Sequence, residues 1–456
     1  MQAQARPSEE VVNQASVIYK LEDRPPLGEA ILAAIQHLAA IFVGIITPTL
    51  VLSGPLELDA QTTTYLVSMA LFVSGVATFI QTKTIGPIGS GLLSIQGTSF
   101  AFLSPIIAAG IAGGKGEAGL ALVFGLCFAG SFIEMFLSRF IHLAKKIITP
   151  LVTGTVVTLI GLSLVRVGMN DIGGGVGAEN FGSLQNLGLA ALVLVTVIAL
   201  NRSSNQYLRM SAILIGMTVG YVASMIMGLV DFSSLSNLPA VSVPIPFRYG
   251  LSFDIVAFIP IALIYLITTI ESTGDLTATS LVSGEPIEGE VYMERIKGGI
   301  LGDGVNSLLA AVFNTFPNTT FSQNNGVIQM TGVGSRYVGY FVAGMLVLLG
   351  FFPIVGGVVN AIPRPVLGGA TLVMFGTVAA AGIKIISTAK IDRRAMMILA
   401  LSFGFGLGVH SVPEIVSNFP AAIRPIFGPI TTGGLTALVA TLIFPEEQQE
   451  MARATA

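Results

Sequence analysis

Glu271 and Asp275 stand four residues apart in the run Glu271-Ser-Thr-Gly-Asp275, within a stretch apolar enough to cross a bilayer, and Asp303 follows in Gly302-Asp303-Gly304. An ionised carboxylate at the centre of a membrane helix costs about 2.5 to 3.5 kcal/mol on insertion scales, so such a group faces a cavity, a partner or a proton. Residues four apart project from one helical face, where two like charges in a low dielectric repel and favour a shared or exchangeable proton. A pair of that kind suits a proton-driven carrier. The structural alternative for Asp275 is a helix cap or a partner for a nearby basic residue. For Asp303 it is a brace bonding the free amides of broken helices.

The amide-rich run Phe321-Ser322-Gln323-Asn324-Asn325-Gly326 is the second constellation. Amides donate and accept at once, which matches a planar ligand with alternating carbonyl and N–H edges. Glu271 can accept from ring N–H groups while Gln323 pairs with an adjacent carbonyl and N–H. An oxidised nucleobase complements that set better than a sugar does. Asn324 and Asn325 could instead satisfy backbone exposed at a helix break. Phe100 could stack on a flat ring or simply pack. His37, in Ala34-Ile-Gln-His37-Leu38, is a proton-relay candidate by type, with a hydrogen-bonded interhelical histidine as the plainer role. No phosphate-binding Gly-rich loop and no His-Glu-x-x-His run occurs, and Cys127 stands alone, so ATP hydrolysis, metal chemistry and disulfides are not expected. An ion gradient is the natural energy source, with a proton as coupling ion and no other cofactor.

The elements that must position these residues follow from composition. Of 456 residues, 10% are charged and 53% apolar, with 53 glycines; the mean hydropathy is +0.82. A soluble chain would carry roughly a quarter charged residues. The reading is therefore an all-α polytopic membrane protein. Hydropathy places spans near 30–52, 64–82, 119–138, 149–168, 186–200, 211–229, 254–274, 298–313, 337–358, 364–383, 394–411 and 430–445. Two further stretches, 88–112 and 316–334, are interrupted by Gly, Pro, Ser, Asn and Gln, as half-helices joined to extended backbone would be. Counting both gives fourteen crossings. With the N-terminus inside, about 17 of the 22 Lys and Arg then fall on the cytoplasmic side, all but Lys115, Arg166, Arg248, Arg364 and Arg424. That bias puts both termini in the cytoplasm. No cleavable signal peptide is visible in the polar first 28 residues.

A repeat is legible. Pro150-Leu-Val-Thr-Gly154 with Gly161 has the spacing of Pro365-Val-Leu-Gly-Gly369 with Gly376, and the broken third span, with Gln96 in Ser94-Ile-Gln96-Gly-Thr-Ser-Phe100, corresponds to the broken tenth with Gln323. Seven crossings per copy is odd, so the second copy enters the membrane inverted. Such repeats place a site near the midplane, between two half-helix N-termini.

Gln323-Asn-Asn-Gly-Val-Ile-Gln-Met-Thr331-Gly332 resembles the signature of the nucleobase-ascorbate transporter family, Gln/Glu/Pro-Asn-x-Gly-x-x-x-x-Thr-Arg/Lys/Gly, and matches it in full. Gln36-His37, Ser94-Ile-Gln-Gly-Thr-Ser-Phe100 and Glu271-x-x-Gly-Asp275 support the resemblance, which is nearest the bacterial xanthine permeases. It implies two inverted seven-span repeats divided into a core domain (29–138 and 250–358) and a gate domain (139–230 and 359–446), flanked by cytoplasmic segments 1–28 and 447–456, with the core carrying substrate past the gate. It implies that Glu271 and Gln323 bind the base and Phe100 packs on it, with Ser99 and Ser322 counted among the contacts. Asp275, Asp303, His37, Asn324 and Gln96 would serve proton coupling or support the site. Gln323 is similar to the purine carriers, whereas uracil carriers tend to have Glu there; Ser99 stands where some xanthine carriers have Asn. The expected function is proton-coupled import of xanthine across the cell membrane by a homodimer joined through its gate domains, with uric acid or uracil as the alternative substrates. An anion exchanger or channel would need a cationic group at the half-helix ends, and an intramembrane enzyme would need two carboxylates sharing one water. No nucleic-acid partner is expected.

Overall fold

The computed structural model describes residues 17–144, 149–232, 235, 238–420 and 424–444. The expected tail 447–456, the first sixteen residues and the loop cations Lys145 and Lys146 lie outside the described residues. The first half contains α1 (Leu27–Ser53), α2 (Ala60–Lys83), a strand β1 (Gln96–Thr98), one 3-10 turn leading into α3 (Leu103–Ala112), α4 (Gly116–Ala144), α5 (Pro150–Ile172), α6 (Leu184–Asn201), α7 (Gln206–Met210) and α8 (Ala212–Ile226). The second half contains α9 (Ile255–Val282), α10 (Gly289–Val312), β2 (Asn318–Thr320), α11 (Gln323–Thr331), α12 (Arg336–Phe351), α13 (Pro353–Asn360), α14 (Arg364–Ile386), α15 (Arg393–Ser411) and α16 (Pro429–Ile443). Among the described residues eight helices are long and apolar enough to cross a membrane, a ninth if α12 and α13 count as one, and three shorter helices are also apolar.

The helices start where side chains cap them. Asp59, Asp254 and Asp392 accept from the backbone N–H of Thr62 (2.6 Å), Ala257 (2.8 Å) and Ala395 (2.8 Å), filling donors that no helical carbonyl reaches. Pro150 opens α5 behind the Thr149 cap, where a missing N–H costs nothing.

Two features correct the hydropathy reading. The expected uninterrupted span over 337–358 is bent by 78° between α12 and α13. Pro353 has no N–H to continue α12 and holds Phe352 in extended backbone, φ −102° and ψ 99°. In addition, α9 runs on to Val282, past the expected end at 274, so Asp275 lies inside the helix and does not cap it.

Among the described residues the most extensive helix pair joins α5 to α14, the two helices carrying the repeated Pro and Gly spacing. Their backbones nearly touch. A Cβ on Gly154 would lie 2.7 Å from the Gly382 carbonyl oxygen, and one on Gly161 would lie 2.3 Å from the Ala379 nitrogen. Small residues permit this approach, and helix association in lipid depends on such packing. The second copy is used differently: Gly369 meets Ala190 of α6, while Gly376 has open space beside it.

At the centre, β1 and β2 pair antiparallel in the register Gln96↔Thr320, Gly97↔Thr319 and Thr98↔Asn318. Phe321 N donates to Ile95 O (3.0 Å) and Ser99 N donates to Pro317 O (2.8 Å), closing the ladder at both ends. Backbone that is not helical is tolerated at membrane depth when its groups are paired inside protein, as here. Each strand is followed within a few residues by the N-terminus of a half-helix, α3 after β1 and α11 after β2.

Candidate functional site

The ladder is the floor of the site. A Cβ on Gly97 would come within 2.6 Å of the Phe321 ring, and one on Gly44 of α1 within 2.8 Å of the same ring, so two glycines let Phe321 fill the space between α1 and the strands. Phe100 lies beside it, ring centroids 6.5 Å apart and planes 24° from parallel, and meets Phe375 of α14 edge-on at 5.5 Å. Phe100 is therefore one face of an aromatic group spanning both broken segments and α14.

The acidic residues divide by how fully they are partnered. Asp303 is fully buried and takes three donors: Gln81 Nε2 at 2.6 Å, Ser272 Oγ at 2.5 Å, and the Gln96 amide, which with its nitrogen toward its two neighbouring acceptors donates to Asp303 Oδ1 (3.0 Å) and Thr319 O (3.3 Å). Those donors come from α2, α9 and β1, so one carboxyl group ties three elements to α10. Asp275 is buried and accepts from Thr320 Oγ1 of β2 at 3.2 Å. Glu271 differs. It is half-buried, and its Oε2 has no hydrogen-bond partner. The ion pairs among the described residues, Lys115–Glu57, Arg295–Glu285, Arg336–Glu22 and Arg364–Asp171, all lie elsewhere.

The amides divide the same way. Asn324 donates to the Leu93 carbonyl, which fastens α11 to the segment before β1, and Asn325 Oδ1 accepts from Thr279 Oγ1 of α9 at 2.7 Å. Asn324 Oδ1 is buried without a partner, and both ring nitrogens of the fully buried His37 also lack a well-aligned partner; the two side chains are neighbours. Gln323, the first residue of α11, and its N-cap Ser322 are half-buried, and neither side chain is engaged in the bonds around them. Ser99 Oγ is buried and unpartnered. The structure thus brings Glu271, Asp275, Asp303, Gln96, Ser99, Phe100, Ser322, Gln323, Asn324 and His37 around one two-strand ladder.

Sequence reasoning missed several members of this neighbourhood. Glu134 on α4 is 1% exposed and within electrostatic range of Asp303 and Glu271. Its signal was available, since a lone carboxylate in an apolar span is informative by itself. Gln81, Ser272, Thr279 and Thr320 gave no such signal, because a neutral polar residue in a membrane helix is common and its partner is unknown until the fold is known. Phe375 was hidden among 27 phenylalanines.

Comparison with known proteins shows the family of the chain. Residues 28–415 match the permease family. The xanthine permease XanP of Escherichia coli K12 is 51% identical over 444 residues, covering 95% of this chain and 96% of that protein. XanQ of the same strain is 47% identical over 439 residues, 94% of each. The uric acid permease PucJ of Bacillus subtilis 168 is 37% identical over 420 residues, 90% of this chain and 91% of the other. In fold, the chain is similar to the transmembrane domain of the cyanobacterium bicarbonate transporter BicA, with TM-score 0.55 and 14% identity over 94% of this chain and 100% of that one. It is also similar to the murine Solute Carrier 26 family member A9 anion transporter in its inward-facing state, with TM-score 0.60 and 12% identity over 96% of this chain and 73% of the other. These are two carriers with a common architecture. The chain is a multi-pass membrane protein that belongs to the permease family of nucleobase-ascorbate transporters, and it is a transporter and not an enzyme.

Proposed function

We propose that this protein imports xanthine across the cell membrane as a proton-coupled symporter. The observation that carries the reading is the division of the site into used and unused polar groups. Asp303, Asp275, Asn324 and Asn325 are taken up in bonds that join α9, α10, α11 and the strands. Glu271 Oε2 and the Gln323 amide, on adjoining elements, are left for a ligand. An acceptor and a bifunctional amide fit the N–H and carbonyl edge of an oxidised purine. Phe100 offers its ring face, Ser99 and Ser322 supply hydroxyls beside it, and Asp275, Asp303, His37 and Gln96 hold or exchange the proton. No metal or organic cofactor enters this reading.

The movement is elevator-like: α1 to α4 and α9 to α13 carry the base, while α5 to α8 and α14 to α16 form the gate and the homodimer contact. Counted with both broken segments and α10, the chain makes fourteen crossings with both termini in the cytoplasm. Uric acid is the second reading, favoured by the likeness to the uric acid permease. Anion exchange is not proposed, because the likeness to anion carriers is one of fold and the central side chains here are acidic.

The test is uptake of radiolabelled xanthine in cells lacking their own purine carriers, with and without a protonophore, with unlabelled urate, guanine and uracil as competitors. Uptake abolished by the protonophore and competed by oxidised purines is expected. Absence of xanthine uptake by protein shown to be in the membrane would overturn the substrate, and uptake indifferent to the protonophore would overturn the coupling.

A further inference from the structure

Glu134 is the acidic residue of the centre that neither the ladder nor the proposed base-binding set uses. Its place on α4 is fixed by two glycine contacts. Tyr265 of α9 lies along α4, its hydroxyl donating to the Cys127 carbonyl (2.9 Å) and its ring against Gly130, where a Cβ would come within 2.3 Å. Gly304 of α10, next to Asp303, packs against Ser131 and Met135 of α4, with Met135 Cγ 2.8 Å from an ideal Cβ. Glu134 lies one turn beyond Gly130, on the same helical face, and so enters the seam between α9 and α10.

The titratable groups facing it there are Asp303 from α10 and Glu271 and Tyr265 from α9, and none is cationic. Glu134 is 1% exposed and its Oε1 has no hydrogen-bond partner. A bare carboxylate there, beside two others, would be an uncompensated buried charge, which is among the most destabilising things a protein can carry. Among the described residues no three His, Cys, Asp or Glu side chains converge in the manner of a metal site. The charge is therefore removed by the smallest cation.

We infer that Glu134 is a second proton-binding site of the carrier, loaded separately from the carboxyl groups that meet the base. The proton arrives from water at one face, forms an O–H bond on the Glu134 carboxylate, and leaves to water at the other face, so no co-reactant is consumed. The inference deepens the symport reading and rests on it for its transport consequence, though not for the proton itself.

Glu134→Gln keeps the shape and removes the exchangeable proton. Reconstituted in liposomes, the variant is expected to retain exchange of labelled for unlabelled xanthine, which needs no net proton movement. Its accumulation against an imposed pH gradient of one unit should fall roughly tenfold, the contribution of one coupled proton. Hydrogen–deuterium difference infrared spectra of the wild-type protein should show a protonated carboxylic acid band that Glu134→Gln lacks. Unchanged accumulation would overturn the inference, as would equal loss of exchange and accumulation in folded protein, or an infrared band that persists in the variant. Should Glu134→Gln fail to reach the membrane, Glu134→Asp decides through the infrared spectrum: a carboxylic acid band shifted from that of the wild type supports the proton site, and a band unchanged in position and size overturns it. Wild-type protein that exchanges base but never accumulates it along a pH gradient would sink the symport reading instead, and the infrared band would still decide Glu134.

Discussion

Gln81 on α2 and Asp303 on α10 lie 222 positions apart and share a hydrogen bond of 2.6 Å from Nε2 to Oδ1. The same amide donates to Gly299 O at 2.7 Å and accepts from Ser90 N at 2.9 Å. One side chain thus spends nearly all its bonding capacity holding the second helix of each half against the backbone that leads to β1.

Replacing Gln81 by Leu leaves the buried Ser90 N–H without its acceptor, at a cost of about 1 to 3 kcal/mol, and takes one donor each from Gly299 O and Asp303 Oδ1. Gln81→Leu is expected to lower the melting temperature in detergent more than Asp303→Asn, which keeps an acceptor and the shape. Transport should fall in both. A melting temperature unchanged by Gln81→Leu would show that the amide is not a brace.

Glu271 and Gln323 are predicted to act on binding and not on folding, because neither is engaged by protein. A hydrogen bond to a charged acceptor contributes about 1.5 to 3 kcal/mol, so Glu271→Gln should weaken xanthine binding roughly 10- to 150-fold without lowering thermal stability. Gln323→Glu should keep stability as well and alter the ranking of purine against uracil. Equilibrium binding to purified protein and a thermal melt separate the two effects. A destabilised Glu271→Gln protein with unchanged affinity would contradict the assignment.

The repeated glycines are predicted to be unequal despite their identical spacing. Gly154→Val would drive a side chain into the α14 backbone, where the contact is already 2.7 Å, and should abolish folded protein on fluorescence-detected size exclusion. Gly376→Ala meets nothing within 4 Å and should be neutral or stabilising by up to about 1 kcal/mol, the difference in helix propensity. Equal tolerance at the two positions would mean that the α5–α14 seam is looser than its geometry.

What could be read from the sequence was what carries a charge or breaks a pattern. Glu271, Asp275, Asp303 and the Gln323-Asn324-Asn325 run stood out against apolar surroundings, and the broken segments gave themselves away through Gly, Pro and Ser. The strand pairing of Gln96 with Thr320 did not, because three-residue strands have no periodicity to detect. Helix α10 begins nine residues before its hydropathic span, since Glu290, Glu294, Arg295 and Lys297 occupy its first turns and hide the helix from an apolar window. The bend at Pro353 was within reach, as proline after a helical pattern marks a stop. Asp303's role could not be apportioned, because two of its three donors, Gln81 and Gln96, are more than 200 residues away.

The N-terminal segment is expected to matter more through its backbone than through its charges. Ile18 N and Tyr19 N donate to Gly332 O at 2.7 and 3.1 Å, Gly334 N donates to Tyr19 O at 2.9 Å, and Arg336 N donates to Leu21 O at 3.0 Å. Gly332, which ends α11 in the left-handed region at φ 69°, is thus fixed from outside the helix. Each such bond contributes about 0.5 to 1.5 kcal/mol, so removing residues 1–24 should speed amide exchange across α11 at least about tenfold. The Arg336–Glu22 pair, 2.7 Å apart with Glu22 67% exposed, is solvent-screened, and Glu22→Ala should change neither exchange nor uptake measurably. Exchange in α11 that is unmoved by the truncation, or slowed as much by Glu22→Ala, would show that the half-helix bearing Gln323 is held from within the membrane alone.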